Sequence, residues 1–189
     1  MPFNRSILSL LSTHVGTGKL ISVYANQEDT DKFFVGCLLK VDEESVLLRL
    51  RGNFGEDEGV LIVPLEGVLR ISTANDYLNG IQLLMQRIPP SESDIDDYIK
   101  SPEPASILSA LSFAKRRGLV VTIYDEEEEQ LNGFVREVSP DHVDLEYILD
   151  HGQPEGRYLL PISSISRVEM GNQFHDCLRY LYSKRLGLV

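Results

Sequence analysis

Few side chains in this chain stand at spacings that do chemistry. His175 and Cys177 are its one close His/Cys pair. Two residues apart on a helix, they point to different faces and cannot easily share a metal. His14, His142 and His151 lack the clustered Cys/His spacing of a zinc site. Gly16-Thr-Gly-Lys19 looks like a fragment of a phosphate loop, but that motif needs an earlier glycine and a Ser or Thr after the lysine. Thr13 and Leu20 stand at those places, so the segment reads as a turn before a strand. Asp125 and Glu126–Glu129 form an acidic run, matched by Glu28, Asp29 and Asp31. The run lacks the turn glycine and ligand spacing of a calcium loop, so it reads as a solvated hairpin tip. No Ser/His/Asp or Cys/His constellation can be read, since a triad is assembled in space. No metal, cofactor or catalytic residue is assigned.

Binding residues are better represented. Lys115, Arg116 and Arg117 form the one basic cluster. Arg49 and Arg51 alternate with leucines, which puts both on one side of a strand. With Arg70 they make a patch for a phosphate or for a partner's carboxylates, or they pair with nearby Asp and Glu. Tyr24 and Tyr124, and likewise Arg70 and Arg167, occupy matched places in two halves of the chain. A strand-ending tyrosine buries its ring and wets its hydroxyl. A duplicated ligand groove is the sharper alternative.

The elements that position these residues come from an internal repeat. Ser106-Ile-Leu-Ser-Ala-Leu111 echoes Ser6-Ile-Leu-Ser-Leu-Leu11, and Gly118-Leu-Val-Val-Thr-Ile-Tyr124 echoes Gly18-Lys-Leu-Ile-Ser-Val-Tyr24. Pro161-Ile-Ser-Ser-Ile-Ser-Arg-Val168 answers Pro64-Leu-Glu-Gly-Val-Leu-Arg-Ile71. Each copy opens on a short amphipathic helix, with Ser6 or Ser106 as expected N-cap. Five short strands follow, near 19–25, 33–41, 46–51, 60–63 and 68–72, then near 119–124, 133–138, 142–149, 158–160 and 165–169. Pro64 and Pro161 end the fourth strand, because proline lacks the ladder donor. A helix capped by Asn75 or Asn172 closes each copy. Five strands of this length close most economically into a small barrel.

The expected organisation is a first helix–barrel–helix repeat over 1–88, an acidic Pro-rich linker over 89–105, and a second repeat over 106–189. Within the linker, Ile95, Tyr98 and Ile99 have helical spacing, so one turn there is able to dock. The 189 residues carry 18 basic and 29 acidic side chains, a net charge of −11. The charge is spread as −3 over 1–90, −4 over 91–105 and −4 over 106–189. A nucleic-acid binder usually shows a basic footprint. No apolar run approaches the ~20 residues that cross a bilayer, and Ile7–Leu11 is too short for a signal peptide. A cytoplasmic protein with reduced Cys37 and Cys177 is expected, without membrane association.

The strand pattern resembles the Sm-like family of small barrels. The residues that carry it are Phe34-Val-Gly36-Cys-Leu-Leu-Lys-Val-Asp42-Glu-Glu-Ser-Val-Leu47 and Val63-Pro-Leu-Glu-Gly-Val-Leu-Arg-Ile71. Gly36 and Asp42 match the spacing of the family's first motif, and Gly133 and Ser139 stand in their places in the second copy. The resemblance implies a five-stranded barrel with a leading helix, and makes Asp42 a candidate site residue. RNA-binding members carry an asparagine four residues after the aspartate, where this chain has Val46 and Val143. Their Arg-Gly pair at the last turn is replaced by Glu66-Gly67 and Ser163-Ser164. A Src-homology-like barrel fits the same strand count.

The fold expected is thus mainly β with flanking helices: two tandem five-stranded barrels able to pack as an intramolecular pseudo-dimer or to assemble further as a homo-oligomer. The function expected is a non-catalytic binding or scaffold protein with a protein or peptide partner. Sm-like RNA binding is the rival, disfavoured by charge and by the missing motif residues. An enzyme with a site between the barrels is the weaker third option.

Overall fold

The computed structural model describes residues 2–25, 30–88, 94–127 and 129–187, with the side chains of 2–5 left aside. Glu28, Asp29 and Glu128 of the acidic tips, and 89–93 of the expected linker, lie outside the described residues. The chain divides into two compact units, 1–93 with 104–106, and 94–103 with 107–189. Both are built mainly of antiparallel sheet with flanking helices. No described helix is long and apolar enough to cross a membrane.

In the first unit the order is α1 (Pro2–Ser12), β1 (Leu20–Tyr24), β2 (Phe34–Val41), β3 (Ser45–Arg51), β4 (Asp57–Pro64), a 3-10 turn (Leu65–Gly67), β5 (Arg70–Ser72) and α2 (Asp76–Met85). The helix begins at Pro2, so Ser6 lies inside it and is not its cap. Proline is well placed there, because the first turn has no use for its missing N–H. The strands order β5-β1-β2-β3-β4, every ladder antiparallel, and no described ladder joins β4 to β5 within the unit. The expected barrel closure is therefore absent from these ladders. A register shift between Leu38 and Lys40 bends β2, as an extra residue in one strand does.

Alternation along the strands makes two apolar faces. Ile21, Val23, Leu38, Val46, Leu48, Leu50, Leu61 and Val63 meet Ile7 and Leu11 of α1 on one. Leu20, Val35 and Cys37 meet Leu78 and Ile81 of α2 on the other. Asn75 caps α2, its side chain accepting from the Leu78 N–H at 2.8 Å. Gly36 has a packing reason. A Cβ there would stand 2.5 Å from the Arg49 carbonyl oxygen on β3.

In the second unit the order is α3 (Asp96–Lys100), α4 (Ile107–Arg117), β6 (Val120–Asp125), β7 (Gln130–Val138), β8 (His142–Ile148), β9 (Pro154–Pro161), a 3-10 turn (Ile162–Ser164), β10 (Ile165–Met170) and α5 (Gln173–Arg185). Its ladders run β10-β6-β7-β8-β9, again without a described ladder from β9 to β10. The bend recurs on β7, between Val135 and Glu137, and Gly133 meets Glu146 as Gly36 meets Arg49. Val120, Phe134 and Ile148 pack under Leu178 and Tyr182 of α5.

The segment 94–103 belongs to this unit. Its composition reads as linker, yet Ile95 and Tyr98 are buried. The Tyr98 ring lies 5.1 Å from that of Phe113, and its hydroxyl is 2.9 Å from Ser109 Oγ. Ile95 fills the space over Gly171, where a Cβ would come within 2.1 Å of it. Burying two such side chains contributes about 1.5–3 kcal/mol each, enough to hold an acidic segment on a helical turn.

Candidate functional site

Most of the expected site residues are engaged with the fold. Asp42 organises the β2–β3 turn, where Oδ1 accepts from the N–H groups of Glu44 and Ser45, both at 2.9 Å. Ser139 does the same at the β7–β8 turn, its Oγ accepting from the His142 N–H at 3.1 Å. The aspartate position is thus a turn position in both units, which local side-chain hydrogen bonding explains.

Two members of the basic cluster pair with the docked acidic segment. Arg116 pairs with Glu103 at 2.7 Å, and Arg117 pairs with Asp97. Lys115 is exposed beside them. Tyr24 and Arg70 are cross-strand partners, and so are Tyr124 and Arg167. Each arginine lies over its tyrosine's face, 3.8 Å from the ring centroid in the first unit and 3.6 Å in the second. Arg70 is exposed and Arg167 is buried. Cation–π stacking accounts for the matched spacing.

Arg49 and Arg51 share one face of β3, and both reach Asp57 at the start of β4, at 2.6 and 3.5 Å. Beside them opens a cleft of about 290 Å³, lined by Phe33, Val35, Leu50, Arg51, Asn53, Glu58 and Tyr77 among others. The local fold explains its walls. Phe33 immediately precedes β2, and Tyr77 stands in the first turn of α2, next to the buried Leu78. Phe33 is 38% exposed and Tyr77 44%. Their rings meet edge to face at 5.9 Å and 87°. Tyr77 donates its hydroxyl proton to Asn53 Oδ1 at 2.7 Å, which fixes the ring's tilt. Phe33 leans on Tyr24 at 5.2 Å. A continuous row therefore runs Arg70, Tyr24, Phe33, Tyr77. Burial, and secondarily the neighbouring Glu56, raises the Glu58 carboxyl above its ordinary pKa. Cys37, buried near the two arginines, has its thiol pKa raised chiefly by burial, against the lowering pull of Arg51 and Arg49.

Arg51 and Arg70 thus bear on this region, but its walls, Phe33 and Tyr77, did not stand out in the sequence. Their signal was faint. Phe33 follows a run of acidic residues, and Tyr77 sits among the apolar positions of α2. Two aromatics at the rim of adjacent elements are visible only once the strand order is known.

A second arrangement had no motif at all. His175, 3% exposed, lies under Thr122 and Asn132. Its Nδ1 accepts from the Asn172 N–H at 3.3 Å, completing a capping box at the start of α5. Nε2 lies 2.9 Å from Thr122 Oγ1, which donates onward to Asn132 Oδ1 at 2.7 Å. Because that hydroxyl proton is committed to Asn132, the imidazole must be neutral with its proton on Nε2. Burial lowers the His175 pKa to about 4. The equivalent places in the first copy are Ser22, Val35 and Leu78. Their exchange for Thr, Asn and His together was the available clue.

Among the described residues no group of three or more His, Cys, Asp or Glu side chains is arranged to hold a metal. No family model, curated protein or solved structure matches the chain.

Proposed function

We propose that this is a non-catalytic binding or scaffold protein that takes a protein or peptide partner at the Phe33–Tyr77 cleft. The observation that carries the reading is the cleft itself: two partly exposed aromatic rings, held in place by Tyr24 and Asn53, with Arg51 and Glu58 beside them. Aromatic residues and arginine dominate the energetics of protein interfaces, and do so in concave, well-packed positions. The strand order 5-1-2-3-4 in each unit, the paired bends on β2 and β7, and the close-approach glycines support two tandem small barrels of the Sm-like or Src-homology-like type. On this reading the second unit, with its satisfied polar network and docked acidic segment, is the scaffold half.

RNA is the second reading, since exposed rings also stack bases. The carboxylates of Glu56, Asp57 and Glu58 beside the cleft, and a net charge of −11, oppose the phosphates that such stacking would bring close.

Affinity capture with the full chain, read for both protein and RNA, tests the proposal. A bound protein set depleted by Tyr77→Ala, with far-UV circular dichroism unchanged, is the expected outcome. A protein set indifferent to Tyr77→Ala, or salt-sensitive RNA in its place, contradicts it.

A further inference from the structure

The cleft's charges do not balance. Glu56, Asp57 and Glu58 are consecutive carboxylates facing two guanidiniums, Arg49 and Arg51, and both arginines converge on Asp57. Glu56 turns back to accept from the Phe54 N–H at 2.9 Å. Glu58 lines the cleft, and no described cation pairs with it. Its side chain is exposed at the cleft, open to a cation from outside the chain. Beside it stand the two perpendicular rings of Phe33 and Tyr77.

The same aromatic row already holds a cation at its other end. Arg70 stacks on Tyr24 at 3.8 Å, and Tyr24 touches Phe33. At the Tyr77 end the partly exposed rings and an unpaired carboxylate offer the same environment without an occupant from this chain. Perpendicular rings with a flanking carboxylate suit an alkylammonium or guanidinium: the ring faces attract the charge, and the carboxylate neutralises it. The volume of about 290 Å³ admits a side chain of that length. The net charge of −11 favours approach by a basic segment.

We propose that the Phe33–Tyr77 cleft receives a basic side chain, arginine or lysine, from an extended segment of a partner protein, stacked on both rings and paired with Glu58. This rests on the peptide-docking reading above and names the chemistry of its anchor. Arg51 also lines the cleft, but its guanidinium is engaged with Asp57 at 3.5 Å.

The test is a titration of the full chain by two-dimensional amide and aromatic NMR. Three blocked pentapeptides serve as probes, identical except for a central arginine, lysine or citrulline. Citrulline keeps the shape of arginine and removes its charge. The expected result is shifts at Phe33, Tyr77 and Asn53, with arginine and lysine binding roughly tenfold tighter than citrulline. Glu58→Gln should abolish that preference, and Tyr77→Leu should remove the shifts. Equal binding of all three peptides at the cleft overturns the basic-anchor inference while leaving peptide docking intact. Shifts with none of them, or shifts at these residues only with oligouridylate, overturn both.

Discussion

Acid should destabilise the second unit through one histidine, and the effect can be worked from the structure. Folded His175 has a pKa near 4, against 6.5 for the free side chain. Between those values the unfolded state binds the proton and the folded state does not. Stability is therefore complete above about pH 6.5 and declines as pH falls toward 4, below which both states are protonated. A difference of this size corresponds to ~3 kcal/mol at the acid limit. The matching perturbation replaces the three side chains together, Thr122→Val with Asn132→Val and His175→Leu, so that the hydrogen-bonded side-chain partners of the imidazole leave with it, while the Asn172 N–H loses an acceptor. Urea denaturation at several pH values from 7.5 to 4, with amide exchange at Leu178 to assign the second unit, reads the result. Wild-type protein should lose ~3 kcal/mol more than the triple variant across that window, carboxylate titration being common to both. Parallel pH profiles for the two proteins would refute the assignment of a buried, neutral imidazole.

Three further outcomes follow from the packing. Ile95→Ala should cost roughly 2–4 kcal/mol in the second unit, because a fully buried aliphatic side chain over Gly171 is lost; denaturation together with proteolysis near 94–103 checks it. Gly36→Ala should destabilise the first unit by ~2 kcal/mol or more, since the new Cβ runs into the Arg49 carbonyl, whereas Gly80→Ala, in the open on α2, should be neutral or stabilising. Cys177, exposed on α5, should react rapidly with a thiol reagent, and Cys37 only on unfolding, so native protein should titrate one thiol and denatured protein two.

The strands were legible because alternation, proline and glycine carry most of that information locally. Asn75 and Asn172 declare their caps for the same reason. Ser6 did not, because the helix extends back to Pro2 through residues whose pattern is weak. Fourth strands came out longer than their apolar runs, reaching back to Asp57 and Pro154, because polar strand ends leave no hydrophobic trace. The docked turn at 94–103 was half legible. Proline and acid mark it as linker, while Ile95 and Tyr98 mark a face, and burial against Gly171 and Phe113 decides between them. The counter-charges of Arg116 and Arg117 were out of sight for the same reason: they sit in that segment, outside any sequence window centred on the cluster.

The cleft was the least legible feature. Arg51 and Arg70 were visible as strand residues, but Phe33 and Tyr77 lie 44 positions apart in the sequence. Only the β1–β2 ladder and the seat of α2 bring them together. The His175 network was hidden differently, since each member alone looks like an ordinary core or cap residue.

The central claim is that the Phe33–Tyr77 cleft is where a partner's chain docks. Its most direct measurement is binding of wild-type protein and of Tyr77→Ala to one array of overlapping peptides tiled across the host proteome. The account predicts a discrete set of peptides, rich in arginine or lysine, that wild type binds and Tyr77→Ala does not. The same peptides retained by both proteins, or none bound by wild type, would contradict it.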